Sequence, residues 1–146
     1  MQKILSSPEH FDAWVKLVKP MARARFLEWA ENGEPIPIFQ QMSHLVMTLV
    51  VNIIIGPEFA EKHGDEVVPM ILAYEWALQK PQTKALPRWL SDEGRVLESV
   101  EARMKQLIGE EVEQRLKNPE KYKGNMDYMQ AMLNNLGGNN IEGIST

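Results

Sequence analysis

Few side chains in this sequence could bind a metal or move a proton near neutral pH. The three histidines, His10, His44 and His63, fall on separate segments, and neither an H-E-x-x-H pair nor an acidic calcium loop is present to gather ligands. They read as surface or helix-end histidines. There is no cysteine, so a zinc-thiolate cluster, an iron-sulfur centre, a thiolate-ligated haem and a cysteine nucleophile all lie outside what these residues can build. The glycine-rich stretch Gly137-Gly138-Asn139-Asn140 continues into Ile141-Glu142-Gly143 rather than Gly-Lys-Ser/Thr, and the nucleophile-elbow and dinucleotide patterns are absent. Glu110, Glu111 and Glu113 offer carboxylates, but at the spacing of exposed helix pairs. The sequence therefore supplies no catalytic and no metal-binding residue. Large aromatic side chains are the remaining resource. Trp76 and Trp89 bracket a proline-bounded connection over residues 81–91 that includes Leu86-Pro87, a place where a loop can cover an apolar pocket.

The elements that must position those rings read as helices. With 146 residues, 44% hydrophobic and 25% charged, the chain has the composition of one globular unit, and its net charge of −4 argues against a nucleic-acid-binding module. Five blocks follow from punctuation and periodicity. The first starts at Ser7-Pro8, carries Phe11, Val15, Val18, Ala22, Phe26 and Trp29 on one face, is expected to kink at Pro20, and stops at Asn32-Gly33. The second, residues 39–55, is apolar on nearly every side in its later half, as expected of a helix sheathed by neighbours, and closes at Gly56-Pro57. The third is expected to be capped by Asp65, with Pro69 in its first turn, and to end at Lys80-Pro81.

The fourth and longest block, residues 92–117, combines an apolar stripe with acid-first pairs four apart: Glu101 with Lys105, Glu111 with Arg115, Glu113 with Lys117. Asn118-Pro119 ends it. Asp127 caps a short fifth helix carrying Met129, Met132 and Leu133. The reading is a single all-α region over residues 1–136 and a flexible polar tail over residues 137–146. The most apolar window, residues 45–55, is shorter than the ~20 residues of a membrane span, and the N-terminus lacks a secretory pattern, so an intracellular location is expected.

The order of these pieces resembles the central helical region of cytochrome P450 monooxygenases, with fungal secondary-metabolism and sterol-demethylase-like members the most alike. The residues that carry the resemblance are Phe11 through Trp29 ending near Gly33, the apolar helix closing with Gly56-Pro57-Glu58, Leu86-Pro87 before a long charged helix, and Arg115 before Asp127-Tyr128-Met129. It spans roughly residues 9–136 and would make the five blocks the family's helices D to H. The resemblance implies a haem-thiolate enzyme that inserts one oxygen atom into an apolar small-molecule substrate, served by a redox partner. It also implies that the end of the third block and the connection after it wall the substrate cavity, through Trp76, Ala77, Leu78, Leu86 and Trp89.

The family's cysteine loop, its Glu-x-x-Arg pair and its acid-threonine pair are all missing. The expectation is thus a partial or truncated chain, without haem of its own and prone to self-association. A standalone helical binding or interaction module is the alternative.

Overall fold

The computed structural model describes residues 8–33 and 35–137. Seven α-helices and one 3-10 turn make up these residues, and no strand occurs among them. In chain order they are α1 (Pro8–Asn32), α2 (Ile38–Ile54), α3 (Pro57–Leu78), α4 (Pro81–Ala85), the 3-10 turn Arg88–Leu90, α5 (Asp92–Lys117), α6 (Pro119–Tyr122) and α7 (Tyr128–Gly137). All five expected blocks are helical. The expected polar tail, beyond Gly137, lies outside the described residues, as does Ser7, the expected cap of the first block.

Local chemistry explains most boundaries. Gly33 stops α1 in the left-handed conformation, φ 65°. The Ser91 hydroxyl accepts from the Gly94 amide at 3.0 Å and caps α5, with Asp92 and Glu93 in its first turn and Arg115 and Lys117 in its last, both favourable to the helix dipole. Asp127 caps α7 by accepting from the Gln130 amide at 2.9 Å.

Two expectations need correction. Helix α3 begins at Pro57, eight residues before Asp65, and Pro69 is interior to it. Gly56 takes φ 119° and ψ 159°, so α2 ends and α3 begins across one residue, with Pro57 preset for the first helical position. A glycine-proline pair read only as a stop is also a start. The connection over residues 81–91 is not bare loop, because Pro81 opens α4 and Pro87 precedes the 3-10 turn. Pro119 likewise opens the four-residue α6. Helix α1 continues through Pro20 and α3 through Pro69, each proline being exposed on its helix surface.

The core lies among α2, α3 and α5. Val51, Ile55, Phe59, Val67, Val68 and Leu107 form its buried cluster, with Met104, Ile108 and Met129 packed against it. Helix α1 packs on α2, and the Trp14 indole donates to the Met126 carbonyl at 3.2 Å. Half of its apolar stripe is uncovered. Phe11 is 61% exposed, and Val15 and Phe26 are also exposed; on α2, Val46 and Ile54 are open to solvent. The sheathing expected of α2 is therefore partial: Leu45, Val51 and Asn52 are buried while its opposite side is not.

Candidate functional site

The expected pocket residues occupy the end of α3 and the connection that returns the chain to α5. Ala77 is fully buried, and its carbonyl accepts from the Thr83 hydroxyl at 2.5 Å, which folds α4 back against α3. Trp76 points to the other side. Its ring takes the Lys80 ammonium over its face at 3.9 Å and lines a groove of about 340 Å³ with Phe39, Leu72, Ser43 and Gln79. Leu78, Leu86 and Trp89 are exposed, Trp89 at 68%. The structure thus brings Trp76 together with Phe39 from the start of α2, a partner the sequence did not single out, and leaves Leu86 and Trp89 on the outer side of the connection.

A polar cluster fixes that connection. Glu101 on α5 accepts from Arg88 at 2.7 Å through one oxygen and from the Tyr74 hydroxyl at 2.8 Å through the other. Glu101 was expected to pair with Lys105, four residues along the same helix; Arg88 offers it a charged hydrogen bond instead. The hydrogen bonds from Arg88 first and then Tyr74 hold the Glu101 carboxyl below its ordinary pKa, and donating to that carboxylate raises the pKa of the Tyr74 hydroxyl. Gly94 lets the 3-10 turn sit directly on α5: a Cβ there would lie 2.0 Å from the Arg88 carbonyl oxygen.

The most enclosed polar site is elsewhere. Arg115, expected on a half-exposed face, is fully buried. It donates to Glu111 at 2.7 Å, to Asp127 at 2.7 Å and to the Ile55 carbonyl, and its guanidinium lies 5.1 Å from the Tyr122 ring centre. One side chain thereby satisfies a carbonyl at the C-terminal end of α2, reaches the carboxylate that caps α7, and anchors both to α5. Burial opposes the charge, yet the hydrogen bonds to Glu111 and Asp127 outweigh it and keep the guanidinium pKa above its ordinary value. Gly56 completes the junction, since a Cβ there would come within 2.9 Å of Asp127 Oδ2 and 3.0 Å of the guanidinium. Arg115 and Asp127 were both quoted on sequence grounds, but twelve residues apart they gave no sign of touching.

The histidines stay apart, on α1, α2 and α3. Among the described residues no group of three His, Cys, Asp or Glu side chains is placed to hold a metal ion, and no helix is long and apolar enough to cross a membrane. The arrangement as a whole is a packed helical unit with a fixed connection and open apolar faces. It contains no assembled acid-base or nucleophilic centre among the described residues.

No family model matches this chain, and no solved structure matches it. Two curated proteins do. Over 126 residues, 86% of the chain, it is 29% identical to the cytochrome P450 monooxygenase pynD of Aspergillus niger and 26% identical to the cytochrome P450 monooxygenase pyvB of Aspergillus violaceofuscus. The chain spans about a quarter of the length of each. It is similar to cytochrome P450 monooxygenases over most of its own length, and its all-α architecture agrees with that similarity.

Proposed function

We propose that this chain is the central helical segment of a haem-thiolate monooxygenase-like protein, and that it is not competent for the reaction alone. The observation that carries the reading is the match of two P450 monooxygenases across 86% of an all-helical chain whose blocks follow the expected order. The open stripe of α1 and the half-open α2 support it as well, because an apolar face of this extent is what a segment presents when other parts of a larger protein cover it.

In the full-length protein the substrate is an apolar organic molecule, oxidised by oxygen insertion with electrons from a redox partner, in an intracellular setting. This segment contributes walls. Trp76 is the leading wall residue, its ring already turned into a groove with Phe39 and Leu72. Leu78, Leu86 and Trp89 present apolar surface from the end of α3 and the connection, and the buried Ala77 holds the turn beneath them.

The haem of such proteins does not fit the donors present here. These residues include no thiolate source, and the three histidines lie on three different helices. No step of the reaction is assigned to this segment. Its contribution is binding, orientation and exclusion of water.

A chimaera tests the reading. The 126-residue matched region of the Aspergillus niger protein is replaced by this chain, and the reduced, carbon-monoxide-treated product is examined for the absorption band of thiolate-ligated haem. A retained band supports the proposal. A stably folded chimaera that binds haem without that band would contradict it.

A further inference from the structure

Helices α1, α2 and α3 line a cleft of about 360 Å³ that shares no residue with the groove at Trp76. Met21 and Ala24 from α1, the buried Leu45 from α2 and Ala60 from α3 give it apolar walls. Its charged and titratable groups come from the same three helices: Arg25 and Glu28 on α1, His44 on α2 and Asp65 on α3. Apolar walls with a few convergent polar groups, at this volume, are the make-up of a small-molecule site.

Charge decides what the cleft can take. Arg25 donates to Glu28 at 2.7 Å, so those two charges answer each other. Asp65 makes no ion pair among the described residues, which leaves the cleft with one uncompensated negative charge. Gly64, beside it, adds room. A glycine in the interior of α3 weakens the helix relative to alanine, and no neighbouring group lies within 4 Å of where a Cβ would stand, so packing does not account for it. Its bare Cα leaves space in the cleft next to Asp65.

We propose that this cleft binds a small organic ammonium ion, with its apolar body against Met21, Ala24, Leu45 and Ala60 and its charge toward Asp65. A primary ammonium has three donors, and Glu28, His44 and Asp65 supply acceptors from three different helices. A neutral molecule of the same shape makes weaker hydrogen bonds there, because none is charge-assisted on both sides. An anion of that shape meets Asp65 and Glu28 with like charge. The site is built from α1, α2 and α3 alone and does not depend on the monooxygenase reading.

Calorimetric titration of the 146-residue chain with three probes of one shape tests the proposal: 2-phenylethylammonium, 2-phenylethanol and 3-phenylpropionate. The ammonium is expected to bind about tenfold tighter than the alcohol, and the carboxylate weakest of the three. Asp65→Asn keeps the side chain's shape and should reduce the preference for the ammonium about three- to tenfold. Gly64→Leu fills the cleft and should weaken the ammonium by about tenfold or more, while the chain melts at or above the parent temperature because leucine favours a helix over glycine. Gly109→Leu, at an exposed position on α5 with equally open space around it, is the control and should bind within about twofold of the parent. Equal binding of the three probes would assign them to the open apolar faces and overturn the proposal. So would a well-folded Gly64→Leu that binds the ammonium as the parent does, or a preference unchanged in Asp65→Asn.

Discussion

Replacing Arg115 with methionine keeps much of the side-chain volume and removes the charge. The buried guanidinium now answers Asp127, Glu111 and the Ile55 carbonyl at once, and the Asp127 side chain is as inaccessible as Arg115 itself. Without it, a carboxylate shut off from water has lost its counter-charge and a carbonyl at the end of α2 has lost a donor. Breaking one side of a buried pair costs about 3–5 kcal/mol, and a whole domain of this size holds about 5–15 kcal/mol. A loss near 4 kcal/mol is therefore expected. At a urea dependence of about 2 kcal/mol per molar, the midpoint measured by helical circular dichroism should fall by about 2 M. Adding Asp127→Asn to Arg115→Met removes the stranded charge and keeps a side-chain oxygen to cap α7, so the double variant should recover part of the loss. A single variant within about 1 kcal/mol of the parent, or a double variant weaker than the single, would refute this account of the junction.

Gly56→Ala combines a backbone conformation that only glycine enters freely with a Cβ 2.9 Å from Asp127 Oδ2, and should cost about 3 kcal/mol in the same urea titration. The hydrogen bond from Arg103 first, and the charge of that guanidinium with it, hold the Glu66 carboxyl below its ordinary value of 4.5. Its folded-state value lies below the unfolded one, so its contribution is present above pH 4.5 and is lost as pH falls through the folded value. In melts taken across that range, Glu66→Gln should flatten the acid-side fall in stability relative to the parent chain. The open apolar stripe of α1 and α2 should make the isolated chain self-associate, with sedimentation showing a rise in mass with concentration that Phe11→Ser together with Val15→Ser reduces.

Helix α5 was legible from end to end because its information is local: acid-first pairs, an apolar stripe and a terminating Asn118-Pro119. The same local logic placed α1, α2 and α7. It misplaced the start of α3 because Gly56-Pro57 serves two helices, and only the positive φ of Gly56 shows how tightly they join.

What sequence spacing could not supply is long-range pairing. Glu101 looks toward Lys105 along one helix, but Arg88 comes to it from the 3-10 turn before that helix. Arg115 reads like any other exposed acid-base pair until Asp127 and Ile55 close over it, and Val112 and Leu116 beside it give no hint that the charge lies inside. Trp76 and Trp89 were legible as rings flanking a proline-bounded return. Phe39, which shares a groove with Trp76, was not, because it comes from the start of α2.

Sequencing the transcript that encodes this chain tests the central claim most directly. If the chain is a segment of a monooxygenase-like protein, the reading frame continues past Thr146 into a long helix with an acid-threonine pair and, further on, a glycine-flanked cysteine loop. A transcript that stops after Thr146, with neither feature encoded in the adjoining genomic sequence, would contradict that account and leave a standalone helical module in its place.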